Sequence, residues 1–566
     1  MKQSKNIFLI ISVLLLAAAC SVKEDKSPAK TYEFSENWEF TPGSGDSAAV
    51  LWYRQTATLP KDFFESMTKK GGVILYIDSI SGVDTLYING VKSGSFSFQT
   101  MMQGGSFFKR NYFIPASAFK KGENAVAIRV FAPWPDNSPF AMRKGLLPGG
   151  KIALVTAETV DKLSLGYTVN DEDYIFLEPS PISITAKIEN SNSWNVEGKF
   201  IVDITTDDYR QIKSDTLSIK SKAGKTDSLT FVFDNPEPGF YRYSLQFVRG
   251  EDVKLEKKFN VGFEPEKISS PIDAHGDFKE FWDKSLAELA KIKPNYKMKL
   301  IPEQSNDDYE MYLVEMQSLG NETIRGYYSK PKHEGKFPVI VEYMGYGSNA
   351  YFSSVKWDGF AHFVPSIRGQ GLNRLTKEDD FWITIGCLGD KENYYYRGGF
   401  CDVVRALDFV CSRPEIDAEK LAVRGGSQGG ALSMVAASLD KRVKVCAPNV
   451  PFLSDYRDYF KIVDWPRSDF DNFAKTHPDF NWKHVYDLLT YFDIKNLAQW
   501  IECPLWMAIG VQDATCPPHI NFAAYNQVKS EKQWLASPTS GHSIADPAIW
   551  EKEQKFIREK LEIEAR

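Results

Sequence analysis

The chain has 566 residues, 43% of them hydrophobic and 25% charged, and carries a formal net charge of −6 at pH 7. This length exceeds what one compact core holds, so two to four domains are expected. The mild negative charge argues against nucleic acid as a partner, because that binding needs a basic surface.

The N-terminus predicts export from the cytoplasm. Lys2 and Lys5 precede an apolar run from Ile7 to Leu16, which is too short for a typical membrane span, and small residues then lead to Cys20. The segment resembles a bacterial lipoprotein signal, apart from Ala17, which stands where leucine is commonest.

The lipoprotein resemblance implies that residues 1–19 are removed, that Cys20 is acylated, and that residues 20–30 form a polar tether. The protein would then be secreted across the inner membrane and act as a periplasmic, outer-membrane or cell-surface lipoprotein. Its membrane attachment would be the lipid on Cys20. A plain signal peptide without the lipid is the alternative.

Residues 31–158 predict an all-β domain, because short runs of branched and aromatic residues alternate with turn signals such as Asn89-Gly90. The stretches LWYRQTATLPKDF, VDTLYINGVKSG and FIPASAFKKGENAVAIRVF resemble the galactose-binding-like jelly roll of family two glycoside hydrolases. The resemblance implies either a sugar-binding domain or a scaffold, and it identifies no binding residue.

Residues 159–264 predict a second all-β domain. Alternation of apolar and polar residues puts Tyr241, Tyr243, Leu245 and Phe247 on one face of a strand. A region of this length with this pattern favours an immunoglobulin-like sandwich. Its expected role is that of a spacer.

Residues 265–566 predict an α/β domain. An amphipathic helix begins at Phe278, and helical stretches then alternate with the apolar strands FPVIVEY, FAHFVPSI, KLAVRGG, VKVCAPNV, PLWMAIG and KQWLASP. This rhythm predicts a mostly parallel sheet with helices on both faces. Ligands of such sheets bind at the carboxyl ends of the strands.

One strand end carries the candidate nucleophile, Ser427. The sequence Gly425-Gly426-Ser427-Gln428-Gly429 fits the G-x-S-x-G elbow in its required context, between the strand LAV and the helix GGALSMVAASL. The backbone N–H of Gln428, at the positive end of that helix, is a predicted oxyanion donor. The alternative is a glycine-rich structural turn.

A serine nucleophile needs a base and an acid, which follow it in the order acid, then histidine, on this fold. Of the four histidines after Ser427, His542 lies in a loop directly after the predicted strand KQWLA, so it is the predicted base. Asp513, just past PLWMAIG, is the predicted acid that orients the imidazole. A helix cap is the alternative role for Asp513.

The second oxyanion donor is expected from the loop after FPVIVEY, which reads Met344-Gly345-Tyr346-Gly347. The glycines allow the backbone to turn inward, so the Tyr346 N–H is the candidate. The Tyr346 ring is also a candidate wall of the acyl pocket.

Several stretches resemble the acetyl xylan esterase and cephalosporin-C deacetylase family, the seventh carbohydrate esterase family. They are YMGYGS, IRGQG, YYYRGGFCDVVRALDFVCSRPEIDAEKLAVRGGSQGG, PFLSDYRDYF and GVQDATCPPHINFAAYNQV. The resemblance implies an α/β-hydrolase that removes acetyl groups from sugars with a metal-free, cofactor-free triad. The residues implied are Ser427, Asp513 and His542 for the triad, Tyr346 and Gln428 for the oxyanion, and Arg368 and Gln370 as braces of the surrounding loops.

The chain departs from the family pattern in three respects. Ser543 follows the histidine where glutamate is usual, and Ser366 and Ile367 stand where aspartate and threonine are usual. The family is also typically a single domain that forms compact oligomers. Two preceding β-domains could block that assembly, so the oligomeric state stays open.

The predicted function is that of a serine carboxylesterase acting on acetylated oligo- or polysaccharides. The aromatic-rich insert 451–500 would form a lid or rim over the site, with core packing as its alternative role. A prolyl-oligopeptidase-like peptidase shares the elbow but usually carries a β-propeller, whose repeats are not visible here. A non-catalytic carbohydrate-binding protein is the other alternative.

Cysteine usage does not indicate a disulfide scaffold or a structural zinc site. Besides Cys20, the six cysteines all fall between Cys387 and Cys516, and none forms a CxxC pair. Buried free thiols, or one or two disulfides, are expected.

Overall fold

The structure is a computed structural model that describes residues 30–35, 37–42, 50–96, 109–131, 145–146, 151–156, 163–192, 195–234, 236–249, 252–353, 359–374 and 382–563. The predicted signal peptide, Cys20 and the tether up to Ala29 lie outside these residues. The chain divides into two compact units, residues 1–162 and 163–566. In the described part of the chain, no helix is long and apolar enough to cross a membrane.

The first unit is rich in β-strands and contains the helix α1 (Lys61–Lys70). Its strands are β1 (Thr31–Glu33), β2 (Glu39–Pro42), β3 (Val50–Thr58), β4 (Gly72–Ile77), β5 (Ile80–Ser81), β6 (Val83–Ile88), β7 (Val91–Phe96), β8 (Arg110–Pro115), β9 (Glu123–Phe131), β10 (Gly145–Leu146) and β11 (Ile152–Thr156).

The described strands of this unit form two larger sheets, of order β1-β11-β4-β8 and β2-β3-β9-β6-β7, and β5 pairs separately with β10. Strands β6 and β7 pair antiparallel on either side of Asn89 and Gly90, which both have positive φ as this tight hairpin requires. Val126, Ile128 and Val130 alternate along β9 and are all buried in the shared core, as their period of two predicts.

The second unit begins with residues 163–263, which we call the two-sheet region. Its strands are β12 (Leu163–Val169), β13 (Ile175–Phe176), β14 (Ile182–Asn190), β15 (Val196–Thr206), β16 (Gln211–Ser221), β17 (Lys225–Phe233), β18 (Gly239–Arg249) and β19 (Asp252–Phe263). They form sheets of order β12-β14-β17 and β13-β19-β18-β15-β16.

One core fills the space between these two sheets. Tyr241, Tyr243, Leu245 and Phe247 are all buried in it, as the alternation along β18 predicts. The region is not isolated from the rest of its unit, because other residues of it belong to the core of the following α/β region.

The α/β region follows from residue 265. Its strands are β20 (Lys297–Leu300), β21 (Tyr309–Gln317), β22 (Thr323–Pro331), β23 (Phe337–Tyr343), β24 (Ala361–Ser366), β25 (Ile416–Gly426), β26 (Val445–Asn449), β27 (Leu505–Gly510) and β28 (Lys532–Ser537). Its helices are α2 (Phe278–Ala290), α3 (Tyr395–Cys411), α4 (Gln428–Leu439), α5 (Tyr456–Ile462), α6 (Arg467–Ala474), α7 (Trp482–Leu489), α8 (Ile494–Ala498), α9 (Pro518–Tyr525) and α10 (Pro547–Lys560).

The nine strands form one sheet of order β20-β21-β22-β24-β23-β25-β26-β27-β28. Strands β24, β23, β25, β26, β27 and β28 run parallel, whereas β20 to β22 extend one edge in antiparallel fashion. The six strands predicted from apolar runs are all parallel members of this sheet.

Helices cover both faces of the sheet, as the apolar runs require. Val339 and Val341 of β23 pack into a core with helices α3 and α4, whereas Ile340 between them packs into a second core with α10. Successive side chains of a strand point to opposite faces, so a strand covered on both sides must be apolar throughout.

Candidate active site

Ser427 occupies a sharp turn between strand β25, which ends at Gly426, and helix α4, which begins at Gln428. Its backbone has φ 59° and ψ −124°, a region that residues with a side chain rarely adopt. Its N–H donates to the carbonyl oxygen of Asn449 at 2.9 Å, at the end of the neighbouring strand β26. The turn therefore holds the serine in the strained conformation of a nucleophile elbow.

Three of the four glycines around Ser427 are required by close backbone contacts. A Cβ atom at Gly425 or Gly429 would overlap the carbonyl oxygen of Tyr343, and one at Gly430 would overlap that of Asn449. A Cβ atom at Gly426 would instead lie 4.0 Å from the Asn449 carbonyl oxygen, which is ordinary van der Waals contact. Helix α4 can thus approach strands β23 and β26 only because side chains are absent at these three positions.

Asp513 and His542 come from the loops that follow β27 and β28, at the same edge of the sheet as Ser427. His542 Nδ1 lies 2.8 Å from Asp513 Oδ2. The other carboxylate oxygen, Oδ1, accepts the N–H groups of Thr515 and Cys516 at 2.8 and 2.9 Å. The carboxylate is buried and fixed by three bonds, so His542 donates from Nδ1 and keeps Nε2 as the basic nitrogen.

Cys516 lies between the serine and the histidine, and sequence reasoning did not select it. Its Sγ is 3.8 Å from Ser427 Oγ. The ligand-type atoms of Asp513, Cys516 and His542 all lie within 4.8 Å of one another. Among the described residues no hydrogen bond joins Ser427 directly to His542, and both instead contact this thiol.

The electrostatics of this group favour a basic histidine and a neutral thiol. Burial alone would lower the pKa of His542, but hydrogen bonds to Asp513 and Cys516 outweigh burial and raise it. Burial raises the pKa of the Cys516 thiol above its usual value, although His542 opposes this shift. The thiol therefore stays protonated at neutral pH, and the imidazole is a stronger base than a free one.

The predicted oxyanion loop lies against the elbow. The Gln428 side chain is buried, and its Nε2 donates to the Met344 carbonyl oxygen at 3.5 Å. Gln370 and Gln428 exchange hydrogen bonds of 2.9 and 3.0 Å through their side-chain amides, and Gln370 Oε1 also accepts the Gly347 N–H at 3.3 Å. One pair of amides thus links the start of α4 to the loop that carries Tyr346.

The other predicted brace, Arg368, holds a buried carboxylate on helix α3. Its guanidinium donates to both carboxylate oxygens of Asp402, at 2.7 and 2.9 Å, and its backbone N–H donates to the same group. Of the two departures before Arg368, Ser366 accepts the Leu372 N–H at 3.1 Å and Ile367 is buried in the main core. The loop is therefore anchored without the usual aspartate and threonine.

One aromatic ring of the insert lies against Tyr346. The Trp465 ring lies 5.6 Å from the Tyr346 ring and 5.8 Å from the Phe452 ring, measured between centroids. Most other aromatic residues of the insert, including Phe460, Phe470 and Trp482, pack against one another between its short helices. The insert thus packs as a helical layer, with Trp465 bridging it to Tyr346.

A second cluster of metal-type ligands is engaged in ion pairs with other charged side chains, although His519 Nε2 has no hydrogen-bond partner among the described residues. Asp455, Asp458 and His519 bring ligand-type atoms within 4.8 Å of one another. His519 Nδ1 lies 2.8 Å from Asp207 Oδ2, and its Nε2 lies 3.7 Å from Asp458 Oδ2. Asp455 is bonded to Ser270 and Lys495. The cluster is an ion-pair network, and it carries no metal assignment.

The structure records the six cysteines from Cys387 to Cys516 as free thiols. Of the two expectations for these residues, the one of free thiols holds. All but Cys411 are buried.

A parallel sheet with a strained serine elbow, and an aspartate and a histidine on the next strand ends, defines a serine hydrolase of the α/β type. The family profile described as acetyl xylan esterase (AXE1) matches residues 266–560. The chain therefore belongs to the acetyl xylan esterase family. It is a hydrolase of carboxylic ester bonds, and membership of this family makes it a serine carbohydrate acetylesterase.

Three individual proteins are similar to this chain. The acetyl esterase Axe7A of Xylanibacter ruminicola is 31% identical over 327 residues, which cover 54% of this chain and 71% of that protein. The acetyl xylan esterase of Paenibacillus sp. R4 is 32% identical, with a TM-score of 0.48, and covers 52% of this chain and 98% of its own. Acetyl xylan esterase 1 of Thermoanaerobacterium sp. is 29% identical, with a TM-score of 0.48. The match covers 52% of this chain and 97% of that protein.

Proposed function

We propose that Ser427 is the nucleophile of this esterase, His542 its general base and Asp513 the acid that orients the base. The observation that supports these roles is the convergence of three strand ends, with His542 Nδ1 2.8 Å from Asp513 Oδ2 and with Ser427 Oγ and the imidazole both against Cys516. The strained backbone of Ser427 supports the same assignment, because such strain is stored at nucleophile elbows.

The reaction then proceeds through an acetyl-enzyme. Ser427 Oγ attacks the acetyl carbonyl carbon while His542 Nε2 takes its proton, and the N–H groups of Gln428 and Tyr346 stabilise the oxyanion. When the bond from the carbonyl carbon to the sugar oxygen breaks, His542 protonates that oxygen. Water, deprotonated by His542, attacks the acetyl group, and acetate leaves as Ser427 regains its proton.

We further propose that the substrate is an acetylated oligo- or polysaccharide and that the enzyme acts as a lipoprotein outside the inner membrane. The β-strand-rich residues 31–158 would be the galactose-binding-like jelly roll, and residues 159–264 the immunoglobulin-like sandwich. Replacing Cys20 with serine should abolish incorporation of labelled palmitate in the natural host. Unchanged labelling would rule out this anchor.

The decisive test is acetate release from p-nitrophenyl acetate and from acetylated xylan. Ser427→Ala should reduce kcat/KM by at least about 10⁴-fold, since the residual rate of a triad mutant comes from binding and the oxyanion site alone. The matched control is Ser438→Ala on the same helix, where the hydroxyl only donates to the Met434 carbonyl oxygen. Full activity of Ser427→Ala would disprove the mechanism, and cleavage of an aminoacyl-proline amide without acetate release would favour the peptidase alternative.

A further inference from the structure

Gln512 joins three segments of the chain with its side-chain amide. Its Oε1 accepts the Asn260 N–H at 2.7 Å, and its Nε2 donates to the carbonyl oxygens of Asn260 at 3.2 Å and Pro538 at 2.7 Å. Asn260 belongs to strand β19 of the two-sheet region, and Pro538 begins the loop that carries His542. Gln512 itself directly precedes Asp513.

The acid loop and the base loop also contact each other through backbone bonds. The Gln512 N–H donates to the Ser540 carbonyl oxygen at 2.9 Å, and a Cβ atom at Gly510 would overlap the Gly541 carbonyl oxygen. On the other side, the Asn260 side chain donates to the Val511 carbonyl oxygen at 3.1 Å. The two-sheet region therefore bonds directly to the residues that precede Asp513.

The two-sheet region makes a second contact on the other side of Asp513. Asp207, in the turn between β15 and β16, is paired with His519 in the first turn of α9. Nearby, the Phe240 ring lies 6.0 Å from the Phe522 ring, and Phe240 belongs to the main core of the α/β region. The two-sheet region therefore contacts both ends of the stretch from Val511 to His519.

This support matters because the base loop contains no regular secondary structure. Residues 538–546 connect β28 to α10 without a helix or a strand. Catalytic groups must be held within about 0.5 Å of their productive geometry, and a displacement of about 1 Å costs on the order of 100-fold in rate. A loop of this kind reaches such precision only through neighbours that fix it.

We propose that the two-sheet region contributes to the catalytic centre. In this proposal, Asn260 and Gln512 hold the loops of Asp513 and His542 in the correct positions relative to each other. The proposal rests on the triad roles given under the proposed function. Gln512 is a positioning residue, because it acts through Asp513 and His542. This region is then more than the spacer that its sequence predicts.

Three full-length variants test the proposal. Gln512→Glu has the same shape and keeps an acceptor for the Asn260 N–H, but its carboxylate cannot donate to Asn260 and Pro538. Asn260→Ala keeps the backbone partners of Gln512 and loses only the bond to Val511. The matched control is Asn526→Ala at the far end of α9, where Asn526 donates to the carbonyl oxygens of Pro265 and Ile268, just beyond the two-sheet region.

With p-nitrophenyl acetate, Gln512→Glu should lower kcat by about 10- to 100-fold while KM changes less than about threefold. Asn260→Ala should lower kcat by a smaller factor of about 3 to 10, and Asn526→Ala should lower Tm without lowering kcat. A KM effect is not expected because the side-chain amide of Gln512 is engaged with Asn260 and Pro538 and acts through the two loops.

A wild-type kcat in both Gln512→Glu and Asn260→Ala would overturn the proposal, and so would an equal loss of kcat in Asn526→Ala. These outcomes are separate from failure of the proposed function. That failure would appear as an inactive wild-type enzyme, or as an active Ser427→Ala variant.

Discussion

The two sides of the proposed catalytic centre are held by different means. The nucleophile side is built within one sheet, where Gly425, Gly429 and Gly430 let helix α4 press against the ends of β23 and β26. The acid–base side relies on hydrogen-bonding and charged side chains, some of them from the two-sheet region. Close backbone packing tolerates almost no added side-chain atom. A network of polar contacts can lose one hydrogen bond while the protein keeps its fold. The two sides should therefore respond differently to mutation and to pH.

The largest effect is expected on the acid–base side. Asp513→Asn should lower kcat by about 10⁴-fold, because the amide no longer stabilises the imidazolium or fixes the proton on Nδ1. Asp513 helps to raise the pKa of His542, and the base must be neutral to act. In a plot of kcat/KM against pH, the acidic limb should therefore move to lower pH in the variant.

Asp546→Asn, four residues beyond His542, is the matched control, since asparagine can keep its helix cap on Ala548. Its kcat and acid limb should equal those of the wild-type enzyme. An acid limb that moves to higher pH in Asp513→Asn would contradict the assignment of the base.

The next effect concerns the nucleophile side and compares two glycines that flank Ser427, one on each side. Gly429→Ala should destabilise the protein by about 1–3 kcal/mol or prevent folding, because its Cβ would overlap the backbone of Tyr343. Gly426→Ala should change stability by less than about 1 kcal/mol, since its Cβ would have space. Thermal unfolding of both variants checks this difference, and equal losses would show that packing does not explain the glycines.

The smallest effect concerns the ion pairs that His519 on α9 makes with Asp207 of the two-sheet region and with Asp458 on α5. Burial opposes the charge on His519, but bonds to Asp207 and Asp458 outweigh it and raise its pKa to about 10. The ordinary pKa of histidine is about 6.5, so this stabilisation is complete below about pH 6.5 and is lost as the pH rises through 10. His519→Gln should cost about 2 kcal/mol near pH 6 and almost nothing above pH 10.

Chemical unfolding of the wild-type protein and His519→Gln at pH 6 and pH 10.5 measures this dependence. His484→Gln is the matched control, because His484 contacts the Gly389 carbonyl oxygen on an exposed surface. A cost that grows with pH would show that His519 is held as a neutral ring. A constant cost would show that packing, not charge, accounts for its contribution.

The sequence predicted the parts of the site that the fold forces on the chain. Apolar runs identified all six parallel strands, and the elbow motif fixed Ser427 at the end of one of them. The order of acid and histidine along this fold then left few choices, because each must follow a particular strand. The structure brings Asp513 and His542 within 2.8 Å of each other, as that order requires.

The sequence did not predict Cys516, Gln512, Asn260 or Asp207 as neighbours of the site. A period of two along a strand shows which side chains face its own core, but not which surface another part of the chain covers. Asn260 and Gln512 are distant in sequence and meet only because β19 runs past the end of β27.

The sequence by itself therefore predicted the proposed chemistry of this protein: a serine elbow, its base and its acid, at the ends of parallel strands. Only the tertiary structure decided what holds these groups in place. A nucleophile elbow is specified locally, by glycines whose missing side chains admit a helix, so it can be recognised from a few adjacent residues. In our proposal, the relative position of the acid and base loops depends on hydrogen bonds between segments that are distant in sequence. Such bonds leave no periodic pattern in the chain.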